Sequence, residues 1–246
     1  MSSTAQAAAD AATRGAPVDE LLLAALGADI AAATVLDCGG GTGRFAVPLA
    51  VAGARVTVVD VSVDALATLL RRADEAGVAE RVRAVQGEVE ALDPAIGGEQ
   101  FDLVLAHGVL DALDDLAVGF AAIVAATRPG GLVSLLVDNP AAAVLTRALA
   151  GELEAAEREV AALGDERGPA GGATPQTVAR LCAAHGLALE QQHGIGIFRD
   201  LVPGRVLDHP GARESLLRLE AACAQRSPFA QIAARVHLLA RRPASG

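Results

Sequence analysis

The sequence predicts an α/β fold built on a doubly wound, mostly parallel sheet. Three observations carry that expectation. Short apolar runs alternate with segments of helical period along residues 34–137, as in parallel strands covered by helices on both faces. The stretch VLDCGGGTGRF at 35–45 sets a glycine cluster directly after the first apolar run, where open α/β sheets bind ligands. Finally, 52% of the 246 residues are hydrophobic and only 2% aromatic, which suffices for one large domain packed on Ala, Leu and Val.

Taken in order, residues 1–17 lack the basic region and apolar core of a signal peptide and read as a mobile tail. Residues 18–246 read as a single domain. VDELLLAAL at 18–26 has the pattern of a short helix. Residues 34–38 are a buried strand that runs into the glycines. Residues 44–52 are helical, and the missing donor of Pro48 suits a first turn. RVTVVD at 55–60 is the second strand. Ser62 caps the next helix, which stops at Gly77. Residues 81–86 and FDLVLA at 101–106 are the third and fourth strands. Asp114 or Asp115 opens a helix that RPGG at 128–131 closes, and LVSLLV at 132–137 is the fifth strand.

After Asn139 the alternation breaks. Residues 140–163 read as mostly helical, 164–173 as a loop, and 174–185 as a helix stopped by Gly186. A strand is expected within 187–198, an irregular helical stretch at 201–228, and a last strand at 235–241.

Charge narrows the partners. A net charge of −10 disfavours nucleic acid, because an acidic chain is repelled by a phosphate backbone. Cys38, Cys182 and Cys223 show no metal-ligand spacing and read as reduced thiols of a cytoplasmic protein. The apolar stretch near 131–137 is too short to span a bilayer, so no membrane partner and no metal are expected.

The glycine turn is read with Asp60, seventeen residues past Gly43. Gly39, Gly41 and Gly43 let the backbone approach a ligand, and a carboxylate at the end of the second strand can accept both ribose hydroxyls of an adenosine. Two ligands compete. Gly41, Gly43 and Ala46 fit the dinucleotide pattern G-x-G-x-x-A, which a nicotinamide-dependent oxidoreductase would use. Asp37 instead makes the pattern Asp-x-Gly-x-Gly-x-Gly, and an acid at the lip favours a cationic ligand over a pyrophosphate. S-adenosylmethionine (SAM) carries an ammonium and a sulfonium. The chain also lacks tyrosine, which removes one common oxidoreductase catalytic set.

VLDCGGGTGR, VTVVD, QGE at 86–88, FDLVLAHGVLDAL at 101–113 and RPGGLVSLL at 128–136 together resemble the class I SAM-dependent methyltransferases, in that family's order and spacing. The resemblance implies a seven-stranded Rossmann-like sheet ending in an antiparallel pair, with SAM as cofactor. It implies that Asp37, Gly39, Gly40, Gly41 and Gly43 border the methionine moiety. Asp60 and Val61 would lie at the ribose, Glu88 and Val89 at the adenine, and His107, followed by Gly108, beside the sulfonium.

A narrower resemblance links AHGVLDAL, Asn139, GIGIFRDL at 194–201 and the segment 216–243 to the bacterial tRNA carboxymethoxyuridine carboxyl-methyltransferases. It implies a carboxylate acceptor on a modified wobble uridine. The lysine-rich stretch of that group corresponds here to EREVAALGDERGPAGG, its arginine in Gly-Val-Arg-Val-Phe falls on Gly196, and its Trp falls on Ala112. A tRNA enzyme neutralises several phosphates, so both a modified nucleoside and a small molecule stand as acceptors.

Methyl transfer needs nucleophile, methyl and sulfur held in line. A carboxylate acceptor needs no base but is suited to an arginine clamp, and Arg199 beside Phe198 is the candidate. With a phenol, amine or alcohol acceptor, His107, His193 or His237 could take the proton, and His107 is the candidate base. His193 reads as an exposed turn residue and His237 as facing solvent on an edge strand. The insertions at 140–173 and 201–228 are expected to form a lid over the acceptor. Beside the methyltransferase stand two alternatives of another class, a nicotinamide-dependent oxidoreductase and a non-catalytic SAM-binding module.

Overall fold

The computed structural model describes residues 27–163 and 173–244. The expected tail, the 18–26 helix and nearly all of the 164–173 loop lie outside them. Seven strands form one sheet: β1 (Thr34–Cys38), β2 (Arg55–Asp60), β3 (Val82–Gln86), β4 (Phe101–His107), β5 (Thr127–Asp138), β6 (Ala188–Ile195) and β7 (Arg235–Arg241). Their order across the sheet is β3-β2-β1-β4-β5-β7-β6. The first five pair in parallel, and β7 runs antiparallel to both β5 and β6.

The strands are apolar on both faces because helices cover both. Leu36, Cys38, Val104, Ala106 and Val133 point into one core with Phe120 and Ile123. Val35, Val58, Leu103, Leu105 and Leu136 point into the other with Phe45 and Leu69. The helices in chain order are α1 (Ala46–Val51), α2 (Val63–Glu75), α3 (Leu92–Ile96), α4 (Leu116–Ala126), α5 (Pro140–Leu149), α6 (Leu153–Ala162), α7 (Pro175–Ala184), α8 (Gly204–Leu207) and α9 (Ala212–Cys223).

Local chemistry sets the helix starts. The Ser62 hydroxyl accepts the Ala65 N–H at 3.2 Å, and Asp115 accepts from Ala117 and Val118. Thr174 and Asn139 cap α7 and α5, each followed by proline at the first position. Asn139 also donates to the Gln231 and Ala233 carbonyls, so it fastens the start of α5 to the chain entering β7.

Several expectations are corrected. RPGG at 128–131 does not close a helix: those residues lie in β5, which is twice the expected length because Thr127 pairs with Phe101 of β4 and Gly130 and Gly131 exchange backbone hydrogen bonds with Arg242, just past β7. Residues 140–163 form two helices, split where Gly151 takes φ 81°. His193 lies in β6 and is buried, and His237, at 0% exposure, lies in the interior strand β7. Lone histidines in polar surroundings read as solvated; the pairing of β7 between β5 and β6 is what encloses them. The free edge of β6 is exposed from Ala188 to Gln192, where Glu190 pairs with Arg241.

Candidate active site

Strand order assembles the site. β3, β2, β1 and β4 are neighbours, so the residues at their carboxyl ends lie in sequence along one rim of the sheet. Glu88 and Val89 follow β3, Asp60 and Val61 end β2, Asp37 and the glycines end β1, and His107 ends β4. The direction of winding reverses between β1 and β4, which is the crevice where such sheets bind ligands.

The glycine turn has its own local reasons. Gly41 takes φ 52°, a conformation costly to residues with a Cβ. A Cβ on Gly40 would come within 2.5 Å of the Asp37 carboxylate, so the turn packs directly on that acid. Cβ atoms on Gly39 and Gly43 would strike Val109 and Leu69. Close packing of the turn on the protein itself is thus a further reason for glycine at Gly39 and Gly43.

Asp60 organises the rim. Its two oxygens accept the Gly41 N–H at 2.9 Å and the Ser62 N–H at 2.8 Å. An ionised carboxylate has about four acceptor sites, so capacity for ribose hydroxyls remains. Gly87 N–H donates to the Asp60 carbonyl, which brings Glu88 beside it. Glu88 is exposed, Val89 is buried, and Val61 is 63% exposed.

Asp37 is buried, and its Oδ2 has no hydrogen-bond partner among the described residues. Burial and the neighbouring Asp60 push its carboxyl up to about 7. An orphaned acid beneath a glycine turn requires a donor or a cation, and the SAM ammonium is one. Burial also raises the Cys38 thiol, which keeps it a neutral core residue.

Beyond β4 the rim opens into a cavity of about 900 Å³. Arg44, Phe45 and His107 line it on the glycine side, Asp138, Ala142 and Arg147 from β5 and α5, and Arg199, Leu216 and Arg235 on the far side. His107 and Arg199, more than ninety residues apart in sequence, thus meet in one chamber. Arg199 also lies 3.6 Å from Asp200. Its backbone is fixed by Glu220 of α9, whose carboxylate accepts the N–H groups of Ile197, Phe198 and Arg199 at 2.7, 2.8 and 3.0 Å.

His107 packs edge-on against Phe45 at 4.5 Å. Its Nε2 lies 2.8 Å from the Ser134 hydroxyl, which lies 2.7 Å from Nε2 of His237. Burial, His237, Arg235 and Arg44 together hold the His107 imidazole well below its ordinary range. Burial and His193 lower His237 to about 4. Sequence reading missed Ser134, Glu220 and Phe45, and placed His237 on a solvent-facing edge. Ser134 carried a signal, as the lone polar residue in LVSLLV; Glu220 carried none beyond helical period.

A methyltransferase domain model matches residues 35–131. The tRNA 5-carboxymethoxyuridine methyltransferase of Escherichia coli (strain K12) is 24% identical over 216 residues, covering 86% of this chain and 80% of that protein. The ubiquinone biosynthesis O-methyltransferase of Methylobacterium sp. (strain 4-46) is 38% identical over 105 residues, covering 42% and 40%. Among solved structures, magnesium protoporphyrin IX methyltransferase from Synechocystis PCC 6803 with bound SAH superposes with a TM-score of 0.60 at 14% identity, over 92% of this chain and 82% of that one. Together these likenesses support a SAM-dependent methyltransferase of class I. SAM is the cofactor they point to, and the residues present fit it: the buried Asp37 oxygen lacks a partner among the described residues, and the Asp60 carboxylate keeps acceptor sites beyond its two backbone N–H bonds. No helix of the described residues is long and apolar enough to cross a membrane.

Proposed function

We propose that this methyltransferase esterifies a carboxylate-bearing acceptor of the carboxymethoxyuridine type, held in the 900 Å³ cavity by Arg199. The observation that carries this reading is the meeting of Arg199 with His107 in that cavity, at the end of the glycine rim. The name of the relative that matches most of the chain supports the same acceptor. SAM, when bound, supplies a methyl group already activated by the positive charge on sulfur.

The chain's residues do the rest. Asp37 and Asp60 orient the cofactor, with Glu88 and the Val89 backbone at the adenine. The Arg199 guanidinium presents a planar fork to a carboxylate. An ionised carboxylate is already a nucleophile, so no group need take a proton from it. Helices α5 and α9, within one domain, wall the cavity that holds the acceptor. The cavity's four arginines face four carboxylates, those of Asp138, Glu152, Asp200 and Glu220. A chamber so balanced suits a single carboxylate better than a polyanion, which favours the modified nucleoside over a long stretch of tRNA.

A second reading, a small-molecule hydroxyl or amine acceptor, is favoured by the uncharged state of His107 at the cavity wall. Label transfer from methyl-labelled SAM into tRNA and small-molecule fractions decides between them. A base-labile methyl ester is expected in the product, with Arg199→Ala lowering kcat/KM by on the order of 10- to 100-fold. A base-stable methyl ether or amine as the product would overturn the carboxylate reading.

A further inference from the structure

Helix α5 presents Ala142, Ala143, Thr146, Arg147 and Ala150 to the cavity. The alanines bring no polar side-chain atom. Arg147 is already engaged: its Nε donates to Glu159 at 2.8 Å, and one terminal nitrogen donates to Glu152 at 3.0 Å. Two carboxylates around one guanidinium leave no surplus positive charge on this side of the chamber, so it offers little to an anion.

Thr146 differs from its neighbours. It is exposed and lines the cavity. A threonine in or ending a helix can return its hydroxyl to the carbonyl four residues back, as Thr68 does at 3.0 Å and Thr127 at 2.9 Å. The Thr146 hydroxyl makes no such bond and has no hydrogen-bond partner among the described residues. The other uncharged polar side chains of the wall are committed. Asn139 donates to the Gln231 and Ala233 carbonyls and accepts from Ala141. His107 has Nε2 on Ser134 and Nδ1 covered by protein. Among the described residues, Thr146 is therefore the uncharged wall residue that keeps both a donor and acceptor sites.

Position selects what that hydroxyl meets. Thr146 lies two helical turns past Asn139, about 10 Å along the axis of α5. In an acceptor of the carboxymethoxyuridine type, the carboxylate, ether and pyrimidine hold the ribose about that far from the reacting oxygen, at about 1.4 Å per bond. A ribose is neutral and rich in hydroxyls, which suits a wall whose arginine is already compensated. We propose that Thr146 is a substrate-binding residue that hydrogen-bonds a ribose hydroxyl of the acceptor, across the cavity from Arg199, and so selects a nucleoside over its bare base. The inference rests on the carboxylate reading.

Calorimetry with SAH present tests it, with 5-carboxymethoxyuridine and the bare base 5-carboxymethoxyuracil as the two ligands. The nucleoside should bind about fivefold more tightly than the base. Thr146→Val, of similar shape and helix propensity, should remove that advantage and leave the affinity of the base as it was. Thr146→Ser should retain the advantage. Unchanged nucleoside affinity in Thr146→Val would overturn the inference, and so would equal weakening of both ligands, which would put the hydroxyl on the pyrimidine. Either result spares the carboxylate reading. That reading has its own arm: Arg199→Ala should weaken nucleoside and base alike, and if it weakens neither, the arginine clamp falls whatever Thr146 does. If neither ligand binds the unaltered protein, reading and inference fall together.

Discussion

Asp37 and Asp60 are two acids near the carboxyl ends of the adjacent strands β1 and β2, and their environments set them apart. Asp60 has two backbone N–H partners, whereas Asp37 is buried and its Oδ2 is unpartnered among the described residues, with a carboxyl raised to about 7. A raised acid holds its proton in the folded chain after the unfolded chain has lost it. Its burden therefore grows as pH rises from about 4 to about 7, reaching ~4 kcal/mol above that. Asp37→Asn should stabilise the SAM-free protein at pH 8 and not at pH 4, as read from denaturant midpoints. A bound ammonium favours the ionised form, so SAM affinity should rise with pH through about 7 and binding should release a proton. Calorimetry in buffers of different ionisation enthalpy measures that release; in Asp37→Asn it should vanish.

The elements that sequence made legible are those governed by local rules. Ser62 caps α2 and Asp115 caps α4 because short polar side chains satisfy the first N–H groups of a helix. The glycine turn and Asp60 declared a nucleoside rim for the same reason. What stayed illegible depends on pairing between distant strands. RPGG looks like a helix stop until the chain leaving β7 bonds Arg242 to Gly130 and Gly131 beside it. His193 and His237 look solvated until β7 inserts between β5 and β6. Glu220 is one of two acids in α9 until residues 197–199 fold over it. Leaving those three N–H groups without an acceptor should make Glu220→Ala cost about 3 kcal/mol or more, seen as a lowered urea midpoint. The same variant should loosen Arg199, weakening the acceptor more than SAM.

At the scale of the molecule, the buried histidines oppose Asp37. His107, His193 and His237 are all lowered, each with burial as the leading cause. A lowered histidine stays neutral in the fold while the unfolded chain takes up a proton below about pH 6.5. Stability is therefore lost as pH falls from about 6.5 toward 4, by ~3 kcal/mol for His237 alone. The three histidines act in this direction against the raised carboxyls of Asp37 and Asp111, so in an Asp37→Asn background stability should fall from pH 6.5 to 4.5, and His237→Phe should lessen that fall if the ring packs in its place. A flat profile in that background would contradict the burial of all three histidines. Among the described residues, the sheet that encloses these rings stops at β6, whose outer backbone groups have no neighbouring strand. A rim of that kind is a template on which a second chain can lengthen the sheet. Glu190, held by Arg241 at that border, confers a charge that an incoming chain would have to desolvate, and Glu190→Val should turn a well-behaved protein into one that precipitates with concentration.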